Sequence, residues 1–182
     1  MALQKNSCKG PYINCGMRLL TTNLTFKDVE PKLKEIVDTL FKTVPAGVGC
    51  KGFVKINQQQ FKEVITEGAK WCVNNGYGWQ EDLDRIEGHG RIDWADPEKV
   101  SKKAMDRGLN QIGTLGSGNH YLEIQLAQAK NIYDQSIAKK FGITTPDQVV
   151  VMVHCGSRGF GHQLATDYLR ILEPKIFKYQ ER

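Results

Sequence analysis

Three observations predict a mixed α/β protein of the α+β class. Val29, Leu33, Ile36, Val37, Leu40 and Phe41 recur at the spacing of one helix face. Residues 148–154 form an uncharged run rich in β-branched side chains, the pattern of a buried strand. Residues 119–127 alternate apolar and polar, as a half-covered strand does.

The elements follow in order. Ile13 to Leu20 is strand-like, with Gly16 interrupting it. Thr25 with Asp28 has the spacing of a capping box opening the first amphipathic helix, which Pro45 and Gly47 end. A glycine-rich loop, GVGCKG, covers 47–52. A second helix is expected over 58–74, with Phe61, Val64, Ile65, Ala69 and Cys72 on one face. Residues 75–95 read as irregular and rich in Gly and Trp. Asp96-Pro97 then reads as an N-cap followed by proline at the first helical position, opening a helix to Gly108. A further helix over 131–141 is stopped by Gly142. The last helix starts near Gly161, carries Leu164, Tyr168, Leu169, Leu172 and Ile176, and holds Pro174 as a kink.

Composition bounds the function. The chain has 182 residues, 40% hydrophobic and 25% charged, which are globular values. No apolar stretch is long enough to span a membrane and the N-terminus lacks a signal-like region, so a cytoplasmic protein is the expectation. Five cysteines (Cys8, Cys15, Cys50, Cys72 and Cys155) form no CxxC pair, which points to reduced thiols. A net charge of +5 permits an anionic partner without requiring one. Both ends look cut from something longer: the last helix reaches Arg182 uncapped, and a strand-like segment begins almost at once.

Two glycine-framed segments each deliver a histidine. In Gly116-Ser117-Gly118-Asn119-His120, the imidazole is a potential metal ligand, and Asn119 and Glu123 would share a face if the strand starts at 119. The apolar run before His154 leads into Cys155-Gly156-Ser157-Arg158-Gly159-Phe160-Gly161-His162. A strand feeding a glycine turn and then a helix builds an anion site from free N–H groups and the helix dipole, and Ser157 and Arg158 add a hydroxyl and a bidentate donor. The Lys-Ser/Thr of a Walker loop is absent. In Asn14-Cys15-Gly16, Cys15 is a candidate soft ligand for a divalent metal. Cys155, adjacent to His154 in the strand, should point away and pack. His89 and His162 read as surface or capping residues, and Trp71, Trp79 and Trp94 as core or loop anchors rather than base-stacking platforms.

Together these segments resemble the RtcB family of RNA-splicing ligases. The resemblance rests on INCGMRLL at 13–20, PAGVGCKG at 45–52, ADPEKVSKKAMDRGLNQIGTLGSGNHYLEIQ at 95–125 and VMVHCGSRGFGHQ at 151–163, which run in the family's order. It implies an RtcB-like fold, here incomplete: 1–182 would be a single partial catalytic domain lacking the family's N-terminal segment and C-terminal half. The implied activity joins RNA 2′,3′-cyclic phosphate or 3′-phosphate ends to 5′-hydroxyl ends with GTP and Mn²⁺, as in tRNA splicing and RNA repair. Cys15 would bridge two Mn²⁺ ions, with His120 on one and His154 on the other. Asn119 and Glu123 would contact GTP or its guanylate. Ser157 and Arg158 stand where the anion-site argument puts phosphate. RNA is the implied partner, with archease and a complementary C-terminal half beside it.

The family's guanylylated histidine has no counterpart among His89, His120, His154 and His162, so the chain is expected to be inactive alone. Tyr12 stands where the family has a metal-binding aspartate, and a neutral phenol is a poor replacement. Half of a split ligase, or an RNA- or nucleotide-binding module without chemistry, are the alternative readings.

Overall fold

The structure, a computed structural model, describes residues 14–180, with side chains through Glu173. Its elements are β1 (Cys15–Thr25), α1 (Phe26–Val29), α2 (Leu33–Thr43), α3 (Gln58–Glu67), α4 (Ala69–Asn74), α5 (Gln80–Leu83), α6 (Lys102–Leu109), β2 (Tyr121–Ala127), α7 (Gln135–Lys140), β3 (Gln148–Gly156) and α8 (Arg158–Gln180). Short 3-10 turns lie at Glu30–Lys32, Glu87–Gly90, Pro97–Lys99 and Ala129–Asn131. This is the mixed helix-and-strand composition expected of an incomplete RtcB-like α+β fold. The chain divides into two compact units, 14–53 with 113–156, and 54–112 with 157–180. No helix among the described residues is long and apolar enough to cross a membrane.

The first unit is built on a sheet of order β1-β3-β2, antiparallel throughout. The apolar run in β3 fits its central place, and Val149 and Val150 are both buried although they point to opposite faces. Register is fixed by Cys15 opposite Gly156, Met17 opposite His154 and Tyr121 opposite His154. One face therefore carries Cys15, Met17, Tyr121, Glu123, His154 and Gly156; the other carries Leu122, Ile124, Val153 and Cys155. Leu122 and Ile124 line a cavity of about 460 Å³ together with Leu33, Val37, Leu40 and Phe41 of α2.

Gln148 locks the outer end of the sheet. It is 3% exposed, and its amide donates to the carbonyls of Thr22 (2.7 Å) and Gly142 (2.9 Å). Its Oε1 accepts from the backbone N–H of Thr144 and Thr145 and from the Thr145 hydroxyl. One side chain thus satisfies backbone groups of β1 and of the turn between α7 and β3.

In the second unit, Phe61, Trp71, Leu83, Ala104 and Met105 form the core. Phe61 meets Phe160 of α8 edge to face at 5.4 Å, and a Cβ at Gly108 would fall 2.4 Å from the Phe61 ring. Polar groups tie α6 to α8. The Ser101 hydroxyl caps Ala104 N–H and donates to Asp167, which also accepts from Gln163. Arg107 donates to Gln163 Oε1 at 3.0 Å.

Several boundaries differ from expectation for physical reasons. Thr25 and Asp28 do form the capping box, the carboxylate accepting the Thr25 N–H and hydroxyl. The helix behind them breaks at the Pro31 turn, however, and its apolar face is not core: Val29 is buried, while Val37 and Phe41 are 52% and 88% exposed. Residues 58–74 are two helices, split at Gly68 (φ 62°), where a Cβ would lie 2.0 Å from the Gly90 carbonyl oxygen. Asp96 caps only a 3-10 turn, and Ser101 caps the helix proper. Gly16 does not interrupt β1, which runs on to Thr25. The helix expected over 131–141 is confined to α7, capped by Asp134. α8 begins at Arg158 and continues past Pro174 as helix. Trp71 is core, but Trp79 and Trp94 are 73% and 85% exposed and anchor nothing by burial. The N-terminal expectations at Cys8, Tyr12 and Ile13 lie outside the described residues.

Three outcomes follow. Gln148→Leu removes the side-chain partner of four part-buried backbone groups and should cost about 1–3 kcal/mol in urea unfolding. In Gly108→Ala, overpacking against Phe61, about 1–3 kcal/mol, should outweigh a helix-propensity gain of about 1 kcal/mol, giving a lower unfolding midpoint. Hydrogen bonds from Ser101 and then Gln163, with weaker help from Arg170 and Lys103, hold the Asp167 carboxyl below its usual value. A depressed folded pKa gives stability that is present above the unfolded value and lost as pH falls through the folded one. Asp167→Asn should therefore flatten the acid limb of a stability–pH curve below about pH 4.

Candidate functional site

The chemistry-bearing face of the sheet gathers three of the predicted residues in one unit. Cys15 opens β1 opposite Gly156, His154 lies two residues earlier on β3, and His120 precedes β2. Strict strand parity would put His120 on the face of Cys155. The turn through Gly116 (φ 110°) and Gly118 (φ 75°) releases it from that parity. The result is a Cys15 Sγ to His120 Nε2 distance of 3.6 Å and a His120–His154 ring separation of 5.6 Å.

Glycine at 156 keeps this corner open. A Cβ there would lie 3.0 Å from His120 Nε2 and 3.3 Å from Cys15 Sγ, filling the space between the two donors. A thiolate and an imidazole bound to one tetrahedral divalent ion, with bonds of about 2.3 and 2.0 Å, stand roughly 3.5 Å apart. The observed 3.6 Å is close to that separation. Among the described residues no group of three or more His, Cys, Asp or Glu side chains is gathered as a metal-ligand set; Cys15 and His120 stand as a pair, with the His154 ring 5.6 Å from that of His120.

Tyr121, directly opposite His154, sets its ring edge to face against that imidazole at 5.3 Å and 86°. Sequence reading places it on one face with Glu123, as found, but gives it no role; its pairing with position 154 becomes visible only once the register is known. Glu123 lies on the same face, opposite Met152, and its carboxylate accepts from Gln125 at 2.7 Å. Asn119 lies in the turn ahead of β2, which starts at Tyr121, so it does not share a strand face with Glu123. Cys155 is on the opposite face as expected, its thiol donating to the carbonyls of Leu115 (3.0 Å) and Thr114 (3.5 Å).

Ser157 and Arg158 fall in the other unit, at the start of α8. Arg158 has φ 53°, a left-handed conformation uncommon for a side chain with a Cβ. The Gly159 N–H is not open to an anion: it donates to Gln111 Oε1 at 2.7 Å. An anion contact here would fall instead to the Ser157 hydroxyl and the Arg158 guanidinium. His162 Nδ1 lies 3.4 Å from Arg107 Nη1, and His89 Nδ1 is 3.1 Å from the Leu83 carbonyl, so both histidines have local structural partners.

The family model described as "tRNA-splicing ligase RtcB" matches residues 7–182. The curated tRNA-splicing ligase RtcB of Pyrobaculum aerophilum is 58% identical over 167 residues, covering 92% of this chain and 34% of that protein. That of Thermococcus kodakarensis is 56% identical over 170 residues, covering 93% and 35%. That of Pyrococcus abyssi is 56% identical over 167 residues, covering 92% and 18%. The chain thus spans about a third or less of the length of these relatives. With the family's motifs borne on a sheet that brings their cysteine and histidines together, the chain belongs to the RtcB family.

Proposed function

We propose that this chain supplies the metal-holding and phosphate-holding part of an RNA ligase of the RtcB type, acting on RNA 2′,3′-cyclic phosphate or 3′-phosphate ends and 5′-hydroxyl ends. The observation that carries the proposal is the 3.6 Å approach of Cys15 Sγ to His120 Nε2 across the space left open at Gly156. The choice of Mn²⁺ follows from the family resemblance; a thiolate with imidazoles is by itself a donor set for a divalent transition-metal ion. In this reading Cys15, His120 and His154 hold Mn²⁺, which when bound supplies Lewis acidity toward a phosphoryl oxygen.

The chain's own residues do the rest of the positioning. The thiol of Cys15 and the imidazoles must shed their protons on the donor atoms to bind, so occupancy rises with pH. Tyr121 limits rotation of the His154 ring. Asn119, in the turn, and Glu123, on β2, are the proposed contacts to GTP, and Ser157 and Arg158 the proposed contacts to phosphate. The joining reaction also needs the family's guanylate-accepting histidine, which this sequence does not contain. In this reading the residues present do not ligate by themselves and the remaining groups come from the C-terminal half of the family's fold, with archease a further proposed partner.

Calorimetric titration with Mn²⁺ tests the core of the proposal. Wild type should bind stoichiometrically, and Cys15→Ala, His120→Ala and His154→Ala should each weaken binding at least about tenfold. Gly156→Ala should weaken it by obstructing the space between donors. Cys155→Ala, on the opposite face, should leave it unchanged. A folded wild-type chain that takes up no Mn²⁺ overturns the metal reading.

A further inference from the structure

We propose that Gln111 is a positioning residue for Arg158, holding the arginine's backbone in a left-handed turn so that its side chain is preset for a phosphate. The inference rests on the phosphate reading of Arg158 given above, and adds a residue 47 positions away in sequence that no motif connects to it.

Arg158 has φ 53°, a conformation that glycine adopts without strain and an L-residue adopts at a cost. Glycine stands at 156, 159 and 161 but not at the strained position itself. Strain of this kind persists where surrounding structure over-determines it, and it concentrates at ligand-holding sites. Gln111 Oε1 accepts the N–H of Gly159, the residue next to Arg158, at 2.7 Å. The approach is so close that a Cβ at 159 would lie 2.6 Å from that oxygen and 3.2 Å from Arg107 Nε.

The same clamp continues along the first turns of α8. Arg107 donates to Gln163, which is 3% exposed and donates to Asp167, which accepts from Ser101. The helix start is thus fixed at 159, 163 and 167 by the segment 101–111, and Arg158 is the residue immediately ahead of the fixed ones. Because Gln111 takes the Gly159 N–H, that amide is removed from anion binding. A phosphate here would be held by the Arg158 guanidinium and the Ser157 hydroxyl, so the direction of the Arg158 side chain is what matters. Without the Gln111 acceptor, the turn is free to relax to a right-handed conformation, which redirects that side chain.

The experiment uses the full chain, inorganic pyrophosphate as probe, NMR detection of the Arg158 Nε–H and Gly159 N–H signals, and thermal unfolding. In wild type, pyrophosphate should shift the Arg158 signal. Gln111→Leu should lower the affinity about tenfold, the cost of misplacing one charge-assisted contact, with the Gly159 amide losing protection from exchange. In an Arg158→Ala background the same substitution should change the residual affinity less than about twofold, an absence of additivity that a general loss of stability would not produce.

A second arm needs no ligand. Arg158→Gly should raise the unfolding midpoint by about 2–4 °C by releasing the strain, and that gain should vanish in Gln111→Leu. Wild-type affinity in a folded Gln111→Leu chain overturns the inference. So does an Arg158→Gly chain no more stable than wild type, a measurement that leaves position 111 untouched. If pyrophosphate never shifts Arg158 in wild type, the phosphate reading itself fails. The stability coupling between 111 and 158 then decides the positioning claim separately: a gain retained in Gln111→Leu overturns it.

Discussion

β3 pairs along both of its edges, with β1 on one side and β2 on the other, and that double pairing sets every position in the sheet unit. Its hydrogen bonds fix Cys15 opposite Gly156 and Tyr121 opposite His154. Because side chains alternate with a period of two, a slip of one residue would send His154 to the face that now holds Cys155 and α2. Gln148 opposes such a slip at the far end, since its amide reaches β1 and the turn before β3 together. The apolar, uncharged run of β3, buried at its Gln148–Val150 end, supports the double pairing, and the polar corner at its other end depends on that register.

Glycine serves two different purposes around this strand. At 156 it leaves a gap between a thiol and an imidazole that a methyl group would fill. At 159 it lets a side chain from outside α8 reach the helix backbone. The turn at 116–118 adds a third effect, because it frees His120 from strand parity and lets it join Cys15. Motif glycines here shape space and direction more than they loosen the chain.

Much of the fold was legible in sequence. Thr25 with Asp28 announced a helix start because capping is a local hydrogen-bond pattern. The residues of β3 announced a strand without polar alternation, and the structure makes it the central strand, buried at Gln148–Val150 and half-buried beyond. The errors share a cause. The break at Gly68 goes with the close approach of the Gly90 carbonyl. The exposure of Val37, Phe41, Trp79 and Trp94 depends on which neighbouring surfaces the folded chain provides. None of these can be computed from a residue's immediate neighbours.

The candidate site divides the same way. Sequence alone determined the family, singled out Cys15, His120 and His154, and placed Cys155 away from His154, since motif order and strand parity are properties of the chain itself. Tertiary structure alone decided that Cys15 and His120, 105 residues apart, approach to 3.6 Å, that Tyr121 meets His154 edge to face, that Asn119 leaves the face of Glu123, and that Gln111 accepts the Gly159 amide in the first turn of α8. Those are consequences of register and turn geometry. They arise where backbone pairing brings distant segments to within a few ångströms, and spacing along the sequence carries no record of that distance.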